Sequence, residues 1–272
     1  MSRISSVFES LKNNNQKALI PYITAGDPNL DITVPLMHEM VKAGANIIEL
    51  GIPFSDPMAD GPVIQKASER ALVHNTSLMD VFNLVKQFRE DDKDTPIILM
   101  GYLNPIEIMG YQNFVDQAHA ADIDGVLIVD FPPEESHEFN IAMKEKELDT
   151  IFLLSPTTTD NRIKLICDQA SGFVYYVAIK GVTGSAQLDT ADIADRITHI
   201  KNMTQLPIGV GFGIKNAETA SKLGAAADAV IVGSANVQLI ESGIENNLNN
   251  QAIMQNIFDL LSSMRVALNQ LK

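Results

Sequence analysis

Residues 46–62 read Asn-Ile-Ile-Glu-Leu-Gly-Ile-Pro-Phe-Ser-Asp-Pro-Met-Ala-Asp-Gly-Pro. The first half is a strand built for burial, because Ile47, Ile48, Leu50 and Ile52 are apolar and branched. Glu49 stands in their midst, and a carboxylate there is costly unless it is paired, protonated or in use. The second half is a stiff loop with prolines at 53, 57 and 62 and two more carboxylates, Asp56 and Asp60. A strand carrying one acid, followed by a rigid loop carrying another, is how sites are assembled at the carboxyl ends of barrel strands.

Seven further apolar runs surround this one, at 18–24, 96–102, 125–130, 150–154, 173–179, 206–210 and 228–232. They are continuous rather than alternating, as expected of parallel strands buried on both faces. Amphipathic helical stretches separate them, at 31–43, 78–90, 112–121, 134–147, 160–170, 190–202, 216–223 and 248–270, with Asp31, Ser77, Asp160 and Asn216 as expected caps. Eight β/α units in about 250 residues predict an α/β fold, a closed (β/α)8 TIM barrel. An open doubly wound sheet is the competing arrangement. The longest interval between strands follows the 46–52 run; it holds the proline loop and a short helix near 63–74, and extra length on a βα loop is usually functional. The start of the chain adds one more helix, with Ile4, Val7, Phe8 and Leu11 on one face. No linker or low-complexity tract divides the chain, so residues 1–272 are expected to form a single barrel domain.

The composition, 46% hydrophobic and 20% charged, suits a globular protein with a sizeable core. The net charge of −14 argues against nucleic acid and anionic membranes as partners, since phosphate backbones need clustered Lys and Arg. It leaves room for a small phosphorylated substrate held by backbone N–H groups. Cys167 is the only cysteine, which excludes an intrachain disulfide and a Cys-based zinc site. The five histidines, at 38, 74, 119, 137 and 199, have no metal-ligand spacing and read as surface residues, so no metal is expected. Without a signal-peptide pattern or a membrane-spanning run, a cytoplasmic location is expected.

Glycine-containing loops follow the sixth, seventh and eighth runs: Gly181-Val182-Thr183-Gly184-Ser185, Gly211-Phe212-Gly213-Ile214 and Gly233-Ser234-Ala235-Asn236. The last opens a short helix over 235–242, which is the recurrent phosphate site of barrel enzymes. Gly209, Gly211 and Gly213 lack the full dinucleotide spacing. Glu49, beside the long loop, reads as a catalytic acid/base. Asp60 precedes Gly61 and reads equally as a second acid or as part of a turn. Asp56 reads as a loop-closing or interface residue. Tyr22, Tyr102 and Tyr175, on the first, third and sixth strands, are either core phenols or the wall of a pocket for a flat aromatic substrate.

The stretch 49–62, together with Tyr-Ile-Thr-Ala-Gly-Asp-Pro at 22–28, Gly-Tyr-Leu-Asn-Pro at 101–105, Gly-Val-Thr-Gly at 181–184 and Gly-Phe-Gly-Ile at 211–214, closely resembles the tryptophan synthase alpha subunit family. The resemblance implies a TIM barrel that cleaves indole-3-glycerol phosphate by retro-aldol chemistry to indole and glyceraldehyde 3-phosphate. It assigns catalysis to Glu49 and Asp60, with Asp60 accepting the indole N–H. Tyr22, Tyr102, Tyr175, Thr183 and Phe212 would contact substrate, with Thr183 also orienting Asp60. Gly184, Gly213, Gly233 and Ser234 would bind the phosphate. Pro53, Asp56, Asn104 and Pro105, in the loops 53–60 and 103–109, would meet a beta subunit in an alpha2beta2 heterotetramer. No cofactor is expected in this chain, and pyridoxal phosphate is expected on the beta partner. The segment 179–190 would be a lid that is mobile without ligand. Two positions depart from the family's usual pattern: Tyr22 replaces a common phenylalanine, and Ile179 a frequent charged residue. The resemblance leaves as alternatives a stand-alone lyase without a partner and a non-catalytic allosteric barrel; the barrel alone would also suit a phosphosugar isomerase.

Overall fold

The apolar runs become eight strands: β1 (Ala18–Thr24), β2 (Ile48–Gly51), β3 (Ile97–Gly101), β4 (Gly125–Ile128), β5 (Asp149–Leu154), β6 (Val174–Val177), β7 (Ile208–Gly211) and β8 (Ala229–Val232). The structure is a computed structural model and describes residues 2–178, 190–211 and 213–271. Each strand pairs in parallel with the next, and β8 returns to β1, with Ala18 opposite Ala229 and Pro21 opposite Val232. That last pairing closes the ring and rules out the open doubly wound sheet.

Strand alternation divides the apolar residues between two layers. Leu19, Ile23, Ile48 and Leu50 face outward into the layer shared with the helices. Ile20, Ile47, Ile98, Leu127, Ile151 and Ile231 face inward and fill the barrel. The extra N-terminal helix, α1 (Arg3–Asn13), places Ile4, Phe8 and Leu11 against that inner layer, with the Phe8 ring 5.6 Å from that of Phe173. Its start is anchored by Ser2 Oγ, which donates to Asp149 Oδ2 at 2.6 Å, and by Arg3, which reaches Asp124 at 2.7 Å. The amino-terminal end of the barrel is therefore plugged, and the carboxyl end is left for function.

The helices that follow are α2 (Leu30–Lys42), α3 (Pro62–Val73), α4 (Leu78–Asp91), α5 (Leu103–Met109), α6 (Tyr111–Ala120), α7 (His137–Glu145), α8 (Asp160–Gln169), α9 (Thr190–Lys201), α10 (Ala217–Gly224), α11 (Ser234–Glu245) and α12 (Asn250–Asn269). Ser77 and Asn216 cap α4 and α10 as expected, each in a reciprocal capping box. Asp31 and Asp160 lie instead in the first turns of their helices, behind the caps Asn29 and Thr159. A carboxylate is favourable there too, because the first turn presents unpaired N–H groups. Segment 103–109, expected as a loop, forms α5; Pro105 falls in its first turn, where no N–H is needed. His38 is not a surface residue: its ring stacks on Phe88 at 4.6 Å between α2 and α4. No helix among the described residues is long and apolar enough to cross a membrane.

Candidate active site

Glu49 of β2 lies two residues after inward-facing Ile47, just before the strand, and so points into the barrel, one layer above the apolar filling. It is 2% exposed, and no described residue pairs with its carboxylate. Burial, followed by the charge of Asp60, pushes it up to about 8. Tyr22 of β1 lies beside it in register.

Asp60 ends the proline loop, immediately before Gly61 and helix α3. Its backbone N–H donates to Pro57 O at 3.0 Å, and Gln65 Nε2 donates to its carbonyl at 2.9 Å. The side chain is held by Tyr102, whose hydroxyl donates to Asp60 Oδ2 at 3.0 Å and accepts the Ala59 N–H at 3.0 Å. Phe54 stacks on the Tyr102 ring at 5.3 Å. Burial raises the Asp60 carboxyl and the Tyr102 hydrogen bond opposes that rise. The loop is thus a turn, and its carboxylate is also aimed by a phenol. Tyr102 sits just past the end of β3, at the start of α5, and orients Asp60.

The other two tyrosines are pressed over glycines. A Cβ on Gly51 would lie 2.2 Å from the Tyr22 hydroxyl oxygen, and one on Gly211 would lie 2.1 Å from that of Tyr175. The Tyr22 hydroxyl shares a hydrogen bond with Thr24 Oγ1 at 3.1 Å, so the extra oxygen at this position has a partner. Burial raises both phenols well above the usual range, keeping them neutral.

Gly233 precedes α11, whose first turn carries no side-chain cap, so its leading N–H groups are open to an anion. Gly213 has φ +73, a left-handed backbone that favours glycine. Thr183, Gly184, Phe212 and Ile179 lie outside the described residues, as do residues 179–189 of the segment 179–190 expected to form a lid. Of the expected partner-facing residues, Asp56 and Asn104 are exposed, Pro105 is half-buried and Pro53 is buried. Met58 and Ile108, on the same two segments, are 76% and 81% exposed.

Several supports were not read from the sequence. Asn236, buried in α11, donates through Nδ2 to Val232 O at 2.8 Å and Tyr22 O at 3.3 Å, tying that helix to β1. Asp27, in the loop after β1, is buried and receives both arms of Arg70 from α3. Asp27 belongs to the 22–28 stretch and was visible as part of it. Its partner, far along the chain, carried no sequence signal.

A buried acid with a raised pKa, a second carboxylate aimed by a phenol and an open helix terminus at one rim of a closed barrel place the chain among barrel enzymes that do acid–base chemistry on small anionic substrates. Within that class, the family model described as Tryptophan synthase alpha chain matches residues 8–267. The tryptophan synthase alpha chain of Methylococcus capsulatus is 56% identical over 269 residues, covering 99% of this chain and 100% of its own length. That of Marinobacter nauticus is 55% identical over 271 residues, covering 100% and 99%. The crystal structure of tryptophan synthase subunit alpha from Legionella pneumophila superposes with a TM-score of 0.91 at 46% identity, covering 98% of each chain. The chain belongs to the tryptophan synthase alpha chain family. It is a lyase of tryptophan biosynthesis that acts on indole-3-glycerol phosphate in the alpha reaction.

Proposed function

We propose that Glu49 and Asp60 are the catalytic pair of that reaction. Glu49, protonated through neutrality, gives its proton to C3 of the indole ring. The positive charge that develops on the ring nitrogen is met by Asp60, which accepts the indole N–H. The Glu49 carboxylate then takes the proton of the C3′ hydroxyl as the C3–C3′ bond breaks. The bonding pair returns to the ring, and indole and glyceraldehyde 3-phosphate leave with Glu49 again protonated. At about 4 Å and an effective dielectric of about 20, the attraction of Asp60 for the cationic ring is roughly 4 kcal/mol, about a thousandfold in rate as an upper figure.

One observation carries this reading: a 2%-exposed acid raised to about 8 on the barrel's inner face. Such an acid holds a proton at the pH where the reaction needs one. Tyr22, Tyr102 and Tyr175 would wall the indole pocket together with Phe212 and Thr183. The phosphate would sit at Gly213, Gly233 and Ser234, joined by Gly184, with the backbone N–H groups of α11 as its main donors.

The chain is proposed to act as a single barrel domain in the cytoplasm, paired with a pyridoxal-phosphate-bearing beta subunit in an alpha2beta2 assembly. Support for the pairing comes from the exposed segments bearing Asp56, Asn104 and Pro105, and from Met58 and Ile108 beside them. The direct test is indole release from indole-3-glycerol phosphate. The wild-type chain is expected to release indole, and Glu49→Gln to fold, bind substrate and turn over at least a thousandfold more slowly. Near-wild-type release by Glu49→Gln removes Glu49 from the mechanism.

A further inference from the structure

The two halves of the proposed site stand on different helices. Asp60 is joined to α3 through Gly61 and Pro62, so it moves with that helix. The anion-binding terminus belongs to α11. A substrate with an indole ring at one end and a phosphate at the other must satisfy both, so the offset between α3 and α11 sets the length the site accepts.

Apolar contacts hold the two helices together over Tyr22, with Ala67 from α3 and Val237 from α11 at the centre. Such contacts are strong but nearly indifferent to a small slide along the helix axis, because dispersion and burial are non-directional. A directional lock lies about one turn further along α3. Arg70 donates through Nε and Nη2 to the two oxygens of Asp27, at 2.7 and 2.8 Å. The Asp27 side chain is fully buried in the loop after β1. The remaining nitrogen, Arg70 Nη1, lies 3.9 Å from Glu241 of α11, a charge contact without a hydrogen bond, and Glu241 accepts one from Lys66 of α3 at 2.9 Å. The loop is itself pinned: Gly26 has φ +81, and its N–H donates to Thr33 Oγ1 at 3.1 Å. A forked, charge-assisted pair fixes angle and distance together, which apolar packing does not.

We propose that Arg70 is a positioning residue for this lyase: its fork to Asp27 fixes α3 against the loop after β1, the strand to which Asn236 ties α11, and its charge beside Glu241 adds a direct contact with α11, so that together they set the span between Asp60 and the phosphate-binding helix terminus. The inference rests on the assignment of those two ends in the proposed function. Arg70 touches no reacting atom. It acts by holding two binding points at one separation, which is worth most for a ligand that occupies both.

The test compares ligands of different reach on the full-length chain. Glycerol 3-phosphate occupies the phosphate end alone, and a non-cleavable indolylpropyl phosphate spans both ends. In Arg70→Met the spanning ligand is expected to bind about tenfold more weakly, with glycerol 3-phosphate within twofold of wild type. KM for indole-3-glycerol phosphate should rise more than kcat falls. Arg70→Lys, which keeps the charge and loses the fork, should lie between. Glu241→Gln removes the charge that Arg70 and Lys66 share on α11 without uncovering a buried charge, and read beside Lys66→Met it carries the test if Arg70→Met fails to fold: Glu241→Gln should weaken the spanning ligand about threefold and Lys66→Met by less than about twofold, and equal weakening in the two variants assigns the effect to Lys66 and overturns the proposal. A purely structural role lowers the unfolding temperature and leaves the ratio of the two affinities unchanged, and that result overturns the proposal. Wild-type chain that fails to bind the spanning ligand overturns the site assignment and the proposal with it. A fully active Glu49→Gln that binds both ligands overturns only the catalytic assignment.

Discussion

At the scale of single residues the decisive fact is the cost of burying Glu49. In the unfolded chain its proton leaves near the ordinary value of 4.5; in the folded chain it is held up to about 8. Between those values the folded state binds the extra proton, so this residue's contribution to stability falls as pH rises. Glu49→Gln should therefore make the chain more stable at pH 7, by up to roughly 3 kcal/mol, and give no gain near pH 4. Urea unfolding at the two pH values reads this directly; an equal gain at both would mean that ionisation is not the cost. On the proposed mechanism, indole release by the wild type should decline above about pH 8, where Glu49 gives up its proton. Tyr102 has a smaller task at the same scale. Tyr102→Phe keeps the ring stacked on Phe54 and removes the hydroxyl that aims Asp60. A hydrogen bond to a charged group is worth about 1.5–3 kcal/mol, so turnover should fall roughly ten- to a hundredfold. Unchanged steady-state kinetics would return Tyr102 to the role of a wall.

At the scale of elements, α1 and the βα loops divide the labour. Phe8 is 6% exposed at the closed end of the barrel, against Phe173. Phe8→Ala should cost about 3–5 kcal/mol in denaturant unfolding, the range for truncating a buried aromatic. KM should not change, because the cavity opens at the end opposite the site. A large rise in KM would show that the plug and the mouth are mechanically coupled. Helix α5 shows where element reading stops short. Its seven residues span about two turns, too few for periodicity to declare a helix, and the first turn contains Pro105. What starts it is tertiary: the Leu103 N–H donates to Asp130 Oδ1 at 2.8 Å, a residue beyond the next strand.

At the scale of the whole molecule, the exposed residues beside the mouth bear on partnership. Ile108, 81% exposed on α5, stands beside Asn104 and Pro105. Ile108→Asp should reduce the stimulation of indole release by an added beta subunit more than it reduces the rate of the chain alone. Equal reduction of both would place Ile108 in the fold and not in docking.

The sequence alone determined the parts of this protein that depend on neighbours along the chain. The eight strands lie within two residues of their apolar runs, because burial on both faces leaves a continuous signal. Glu49 stood out as a candidate because it is a lone acid in an apolar strand beside a proline-rigid loop, whereas Asp60 read equally as an acid or a turn from its neighbours, and only the family resemblance pointed it to catalysis. The tertiary structure alone decided what closes and what pairs. Pro21 meets Val232, and the doubly wound alternative falls. Tyr102 reaches Asp60 across 42 residues, and Arg70 reaches Asp27 across 43. Tyr22 leans over Gly51, where only the absence of a Cβ lets it lie. The reason is physical: local preferences are set by sterics and solvation within a few residues, whereas a hydrogen bond between distant side chains exists only once the barrel has brought their strands side by side.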